Sequence, residues 1–224
     1  MCTRYIAPEV GDIERHWQLG ARNPPPWAPE IYPRYLGPFI RAARDQALFE
    51  RELVVGLWSL VPWFAKSARL AYPTSNARAE ELAAKASYKQ PWARGQRCVI
   101  PARAFYEPCW ETGRHVPWCM RRADGAPWGL AGLWNRWVDP ASGEVVESYT
   151  MLTLNADAHP LMRRMHRPDP KRPPDRQDKR SVIPIADADV DLWLAAPPAQ
   201  AATLLRLPAP ELFDAAPAPA APRP

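Results

Sequence analysis

Short runs rich in Val, Ile, Leu and Trp recur along this 224-residue chain, set apart by turn-forming residues, and they never fall into a repeating β-α-β rhythm. Residues 53–61, 97–107, 128–137, 144–154 and 181–185 read as strands of this kind. The runs at 128–137 and 144–154 flank Asp139-Pro140, a turn signal, and pair naturally as a hairpin. Helical patterns are fewer. Residues 10–19 place Ile13 and Trp17 on one side, and residues 77–88 are rich in Ala and charge. Thr74, Ser75 and Asn76 precede that second stretch as candidate caps. Residues 157–165 and 187–194 complete the helical set, with Asp187 as the cap of the last. Pro24-Pro25-Pro26 fits neither a helix nor a central strand, so residues 20–33 read as loop. Strand excess without crossover helices predicts an α+β fold, mainly antiparallel curved sheets in a barrel-like core with short peripheral helices. No internal repeat is visible. The predicted organisation is one domain over residues 1–207 and a disordered Pro/Ala-rich tail over 208–224.

Composition removes several classes. With 29 Pro and 10 Gly, the chain stays below the roughly 25–30% of low-complexity sequences. Its longest uncharged apolar run, residues 53–65, is shorter than the roughly 20 residues that cross a bilayer. The opening residues lack a basic segment followed by an apolar one, so neither a signal peptide nor a membrane partner is expected. Cys2, Cys98, Cys109 and Cys119 form no C-x-x-C pair, which points to free thiols in a reducing, cytoplasmic compartment. A zinc site from Cys98, Cys109, Cys119 and His115 is the alternative to small buried hydrophobes at those positions.

The net charge of +5 has one source. Eight basic residues (Arg163, Arg164, Arg167, Lys171, Arg172, Arg176, Lys179 and Arg180) share residues 163–180 with three acids, Asp169, Asp175 and Asp178, and elsewhere the charges cancel. Such a segment reads either as a solvated loop or as the footprint of a polyanion.

Cys2 follows Met1 directly, and small second residues generally allow removal of the initiator Met. The first residue would then carry an amine of pKa about 7.7–8.0 beside a thiol of about 8.5. Both are partly deprotonated near neutrality, so both serve as nucleophiles. An aldehyde can condense with the amine to an imine, and the thiol can close a five-membered thiazolidine. The same pair can act as nucleophile and base in amide hydrolysis. An accidental cysteine at the second position is the plain alternative.

Further motifs accompany it in order: Met-Cys-x-Arg-Tyr at the start, Trp58-Ser59-Leu60-Val61-Pro62-Trp63, and Asn76-Ala77-Arg78-Ala79-Glu80. Then come the run from Arg97 through Pro101-Ala102 to Phe105-Tyr106-Glu107, Ala131-Gly132-Leu133-Trp134, Thr150-Met151-Leu152-Thr153 and Met165-His166-Arg167. In this order the set resembles the SOS response-associated peptidase family, from Cys2 to about Leu194. The resemblance implies a DNA-repair factor, nucleoid-associated in a bacterial cytoplasm, that senses abasic sites in single-stranded DNA. It implies a covalent thiazolidine crosslink through Cys2, with lyase activity at the lesion as a further consequence. The site it implies is Cys2, Asn76, Glu107 and His166, in a monomer that needs no metal or organic cofactor.

Each implied role has a physical basis. Asn76 can hold the amine or opened sugar by hydrogen bonds. Glu107, beside Phe105 and Tyr106, can move protons during imine formation and elimination. His166 can donate to the sugar oxygen or the leaving phosphate. Arg4, Arg78 and Arg167 suit phosphates, Trp63 and Phe64 suit base stacking, and Thr153 joins this DNA-contact set through its motif. Local readings compete: Asn76 as a helix cap, Glu107 as a surface acid, His166 as a solvated loop residue with His159 as its rival, and Trp58, Trp128 and Trp134 as core. Thr3, Ala104 and Pro108 depart from the family pattern, as does the long basic insertion after His166. A thiol (auto)peptidase and a non-catalytic single-stranded DNA-binding module remain the alternatives.

Overall fold

In strand order, the computed structural model, which describes residues 1–20, 23–44 and 48–218, opens with β1 (Tyr5–Ile6), α1 (Val10–Trp17), β2 (Glu30–Ile31), β3 (Leu36–Ala42) and β4 (Arg51–Trp58). There follow β5 (Asn76–Arg78), α2 (Ala86–Ala93), β6 (Arg97–Ala102), β7 (Ala104–Cys109), β8 (Val116–Arg122), β9 (Trp128–Val138) and β10 (Val145–Asn155). The chain ends with β11 (Arg180–Val182), β12 (Pro184–Ile185), α3 (Val190–Ala195), α4 (Pro198–Ala202) and β13 (Phe213–Pro217).

The strands form an α+β fold of two sheets. One runs β13-β8-β7-β1-β2, all antiparallel. In the other, β10 pairs with both β4 and β9, so β4, β3, β6, β9 and β10 close into a five-stranded ring. Closure demands close backbone approach, and glycine supplies it. A Cβ on Gly56 would lie 2.7 Å from the Glu147 carbonyl oxygen, and one on Gly132 would lie 2.7 Å from that of Thr150. Both glycines face β10, the strand at which the ring shuts.

Ring strands β6, β9 and much of β10 are buried on both faces, which is why they read as continuous apolar runs. Phe39, Cys98, Ile100, Leu130, Trp134, Tyr149 and Met151 join Cys2, Tyr5, Trp58 and Phe105 in one core cluster. Their neighbours Ile40, Val99, Ala131, Leu133 and Leu152 point the other way, as the two-residue period requires. That second cluster is covered by Ile13 and Trp17 of α1 and by Val190, Trp193 and Leu194 of α3. Trp58, Trp128 and Trp134 are core residues, and the β9–β10 hairpin forms as expected.

Several local expectations are corrected. The Ala-rich stretch 77–88 is not one helix. Asn76–Arg78 is a strand on β10, a 3₁₀ turn occupies Ala79–Glu81, and the helix starts only at Ala86. Ladder pairing outweighs alanine propensity there. The run 97–107 breaks at the exposed Arg103, so β6 and β7 belong to different sheets. Residues 157–165 contribute only a 3₁₀ turn at Met162–Arg164. Asp187 caps nothing; its carboxylate meets His16 at 3.1 Å and Arg122 at 3.0 Å. The expected tail is ordered through β13, which adds to the edge of β8, while residues 219–224 lie outside the described residues. Strands β3 and β8 went unforeseen because Pro38 and Pro117 interrupt their apolar pattern.

Candidate active site

Register brings the four expected residues together. In the β1–β7 pairing Tyr5 lies opposite Phe105, which aims the chain ahead of Tyr5 at the Glu107 end of β7. Beyond Glu107, β7 is joined by the segment carrying His166. Cys109 bridges to Met165, and the His166 amide donates to the Pro108 carbonyl at 2.6 Å. His166 adopts a left-handed backbone conformation, φ 61°, unusual outside glycine. Asn76 arrives from the other sheet on β5, with Met151 of β10 as its partner.

These side chains converge on the amino terminus. The Met1 amine is in hydrogen-bond contact with His166 Nε2 and lies 3.7 Å from Glu107 Oε2. His166 Nε2 is itself 2.8 Å from Glu107 Oε2, so one imidazole edge serves both partners. Asn76 Nδ2 donates to the Cys2 carbonyl at 2.8 Å, and the Cys2 thiol donates to the Arg4 carbonyl at 3.3 Å. Cys2 is wholly buried, and burial, followed by the nearby Glu107 carboxylate, pushes its thiol up to about 12. With Met1 in place the thiol is therefore protonated and sealed.

Unsatisfied polar atoms mark the same spot. Asn76 Oδ1, Glu107 Oε1 and His166 Nδ1 are buried without a hydrogen-bond partner. Buried polar groups are normally paired, and these three atoms sit on three converging residues. Beside them lies a cavity of about 320 Å³ lined by Met1, Thr3, Ser59, Tyr72, Ser75 and Asn76 among others. The loop that walls it, residues 59–75, also presents Trp63 and Phe64, both exposed and edge-to-face at 5.6 Å. Thr3 is exposed and lines this cavity.

The remaining predicted residues divide. Arg4 pairs with Glu30 at 2.5 Å and lies 4.0 Å over the Tyr106 ring, and Arg78 pairs with Asp178 at 2.6 Å, so a phosphate would compete with carboxylates already there. Arg167 is exposed, 5.5 Å over Trp110. Thr153 is fully buried and donates to the Ala77 carbonyl, which removes it from the DNA-contact set. His159 is no rival to His166: its Nδ1 accepts from the Leu161 and Met162 amides and its Nε2 meets the Pro208 carbonyl. Cys98, Cys109 and Cys119 are buried free thiols, and among the described residues no His, Cys, Asp or Glu group could hold a metal. Also among them, no helix is long and apolar enough to cross a membrane. Sequence reasoning missed Lys179, whose Nζ donates to the His166 carbonyl at 2.5 Å, because it sits within a run of like charges.

The model of a family described as SOS response associated peptidase (SRAP) matches residues 1–219. The chain belongs to the SOS response associated peptidase family. Among relatives of this family member, the abasic site processing protein HMCES of Pongo abelii is 28% identical over 178 residues, 66% of this chain and 49% of that protein. The abasic site processing protein YoqW of Bacillus subtilis (strain 168) is 30% identical over 130 residues, 57% of this chain and 55% of that protein. The matched regions thus span about half the length of these relatives. A crystal structure of a protein from Bordetella bronchiseptica superposes with a TM-score of 0.85 at 34% identity, covering 98% of this chain and all of that one. One from Bacteroides thetaiotaomicron shares the SOS response associated peptidase fold at a TM-score of 0.77 and 20% identity, covering 96% of this chain and 90% of that one.

Proposed function

We propose that this protein is an abasic-site sensor in single-stranded DNA that forms a covalent thiazolidine crosslink through Cys2 once Met1 is removed. The observation that carries this reading is the meeting of an amino terminus, His166 and Glu107 beside the Cys2 thiol, with Asn76 holding the Cys2 backbone. The names of the abasic site processing relatives support the substrate.

The ring-opened sugar of an abasic site presents an aldehyde. The freed Cys2 amine adds to its carbonyl carbon, and the carbinolamine loses water to give an imine. Glu107 and His166 are placed to move the protons of both steps. The Cys2 thiol then adds to the imine carbon while its proton passes to the nitrogen, closing the ring with one water lost in total. Proton abstraction next to the imine, with departure of the 3′ phosphate, would make the same site a lyase. Trp63 and Phe64 offer stacking surfaces to neighbouring bases. All four site residues come from one chain, so a monomer suffices.

The test is a denaturing gel after incubation with single-stranded abasic DNA. A shifted band that Cys2→Ala abolishes is expected, and unchanged mobility of the wild type would sink the proposal. A second reading, self-removal of Met1 by hydrolysis of the Met1–Cys2 peptide, is favoured by the hold that His166 and Glu107 have on the Met1 amine. Mass spectrometry of Glu107→Gln checks it: retained Met1 is expected, and complete removal would exclude a role for Glu107 in processing.

A further inference from the structure

Part of the positive charge in the basic insertion after His166 is already paired with carboxylates. Arg172 lies 3.5 Å from Asp169 and from Asp178, Arg176 lies 3.6 Å from Asp175, and Arg180 pairs with Glu80 at 2.6 Å. The Gln177 amide donates to the carbonyls of Arg172 and Pro173, and its oxygen accepts from the Asp169 amide at 2.7 Å. The segment is a folded loop with a closed base. At that base the Asp157 carboxylate accepts from the amides of Asp178 at 2.9 Å and Lys179 at 2.8 Å.

Lys179 itself turns inward. The residue is only 7% exposed, and its Nζ donates to the His166 carbonyl at 2.5 Å. His166 is thus held at both of its backbone polar groups: its amide donates to the Pro108 carbonyl and its carbonyl accepts from Lys179. A residue held at positive φ outside glycine persists only where surrounding contacts over-determine it. The His166–Glu107 contact depends on that backbone, since it sets where the imidazole points.

We propose that Lys179 is a positioning residue: by bonding the His166 carbonyl it fixes the left-handed backbone that presents Nε2 to Glu107 and the terminal amine. The insertion serves as the frame that returns Lys179 to this place. The effect on the reaction rests on the abasic-site reading; the effect on the imidazole does not.

Two measurements on the full chain test it, using wild type, Lys179→Met and Lys179→Arg. Nuclear magnetic resonance of histidine-labelled protein follows the titration of His166. Its midpoint should move by about half a unit or more in Lys179→Met and return toward wild type in Lys179→Arg, with His159 unchanged as the internal control. Crosslinking to single-stranded abasic DNA should lose about tenfold or more in rate at saturating DNA, with the half-saturating concentration held within about twofold. An unmoved His166 titration overturns the proposal. So does a change confined to half-saturation, which would make Lys179 a phosphate contact. Should Lys179→Met fail to fold, Asp157→Asn, which loosens the same anchor, must shift the His166 resonance, and an unshifted resonance overturns the proposal equally. A wild type that forms no crosslink sinks the abasic-site reading and leaves the resonance test standing.

Discussion

Glu107 shows what one residue contributes here. It is a buried carboxylate within strand β7, with one oxygen on His166 and the other unpartnered. Glu107→Gln keeps its size and removes its capacity to take a proton. Crosslinking by Glu107→Gln protein from which Met1 has been removed should slow by about 10²- to 10⁴-fold, measured as a gel time course. A rate within threefold or so of wild type would leave Glu107 no catalytic part. The acid and the thiol were legible from their motifs. Asn76 was half legible: its importance came from the resemblance, while its local reading as a cap failed. A three-residue strand takes its state from its partner β10, which propensity cannot see. His166 was chosen over its rival His159 through the Met165-His166-Arg167 motif, and the partners of their ring nitrogens now separate the two. Thr153 was misplaced for want of knowing which way its strand faces.

At the scale of elements, charge counting misled where charge pairing decides. The segment 163–180 carries the entire positive surplus, yet Arg172 and Arg176 already have carboxylates beside them. Replacing both by Gln should therefore change the slope of log K against log salt for single-stranded DNA by much less than the roughly 0.7 expected per lost phosphate contact. Fluorescence anisotropy over a salt series measures it, and a drop of about 1.4 for the pair would restore the loop as a phosphate footprint. Strands were legible where Val, Leu and Trp run without interruption, as in β4, β9 and β10. They were hidden where proline breaks the pattern, in β3 and β8, and where an Ala/Pro-rich composition mimics disorder, in β13.

For the molecule as a whole, the α+β class was legible because sheet residues repeat along most of the chain. The closed ring was not, since closure rests on β10 meeting two strands far apart in sequence. The packed interior has a pH signature. Burial raises the Cys2 thiol and the Tyr88 hydroxyl to about 12, and lifts Tyr5, Tyr149 and Cys98 above their ordinary ranges. Below about pH 7.5 these thiols and hydroxyls are neutral in both folded and unfolded chains and cost nothing; the unfolded thiols begin to ionise above that, the unfolded hydroxyls above about pH 9. Because they ionise in the unfolded chain first, stability falls as pH rises, by about 1.4 kcal/mol per pH unit for each group titrating only there. Urea unfolding at about pH 8 and about pH 10.5 should show a clearly lower midpoint at the higher pH with an unchanged m value; equal midpoints would contradict the burial of these hydroxyls and thiols.

Strand β13 carries a consequence for handling the protein. It runs from Phe213, opposite Arg122, to Pro217, opposite Trp118, and covers the outer flank of β8. A protease that nicks the connection before Phe213 would release that cover and leave a row of bare amides and carbonyls. Neighbouring copies can zip onto such a row. Ageing of a clipped sample would then show as turbidity and insoluble fibrous matter.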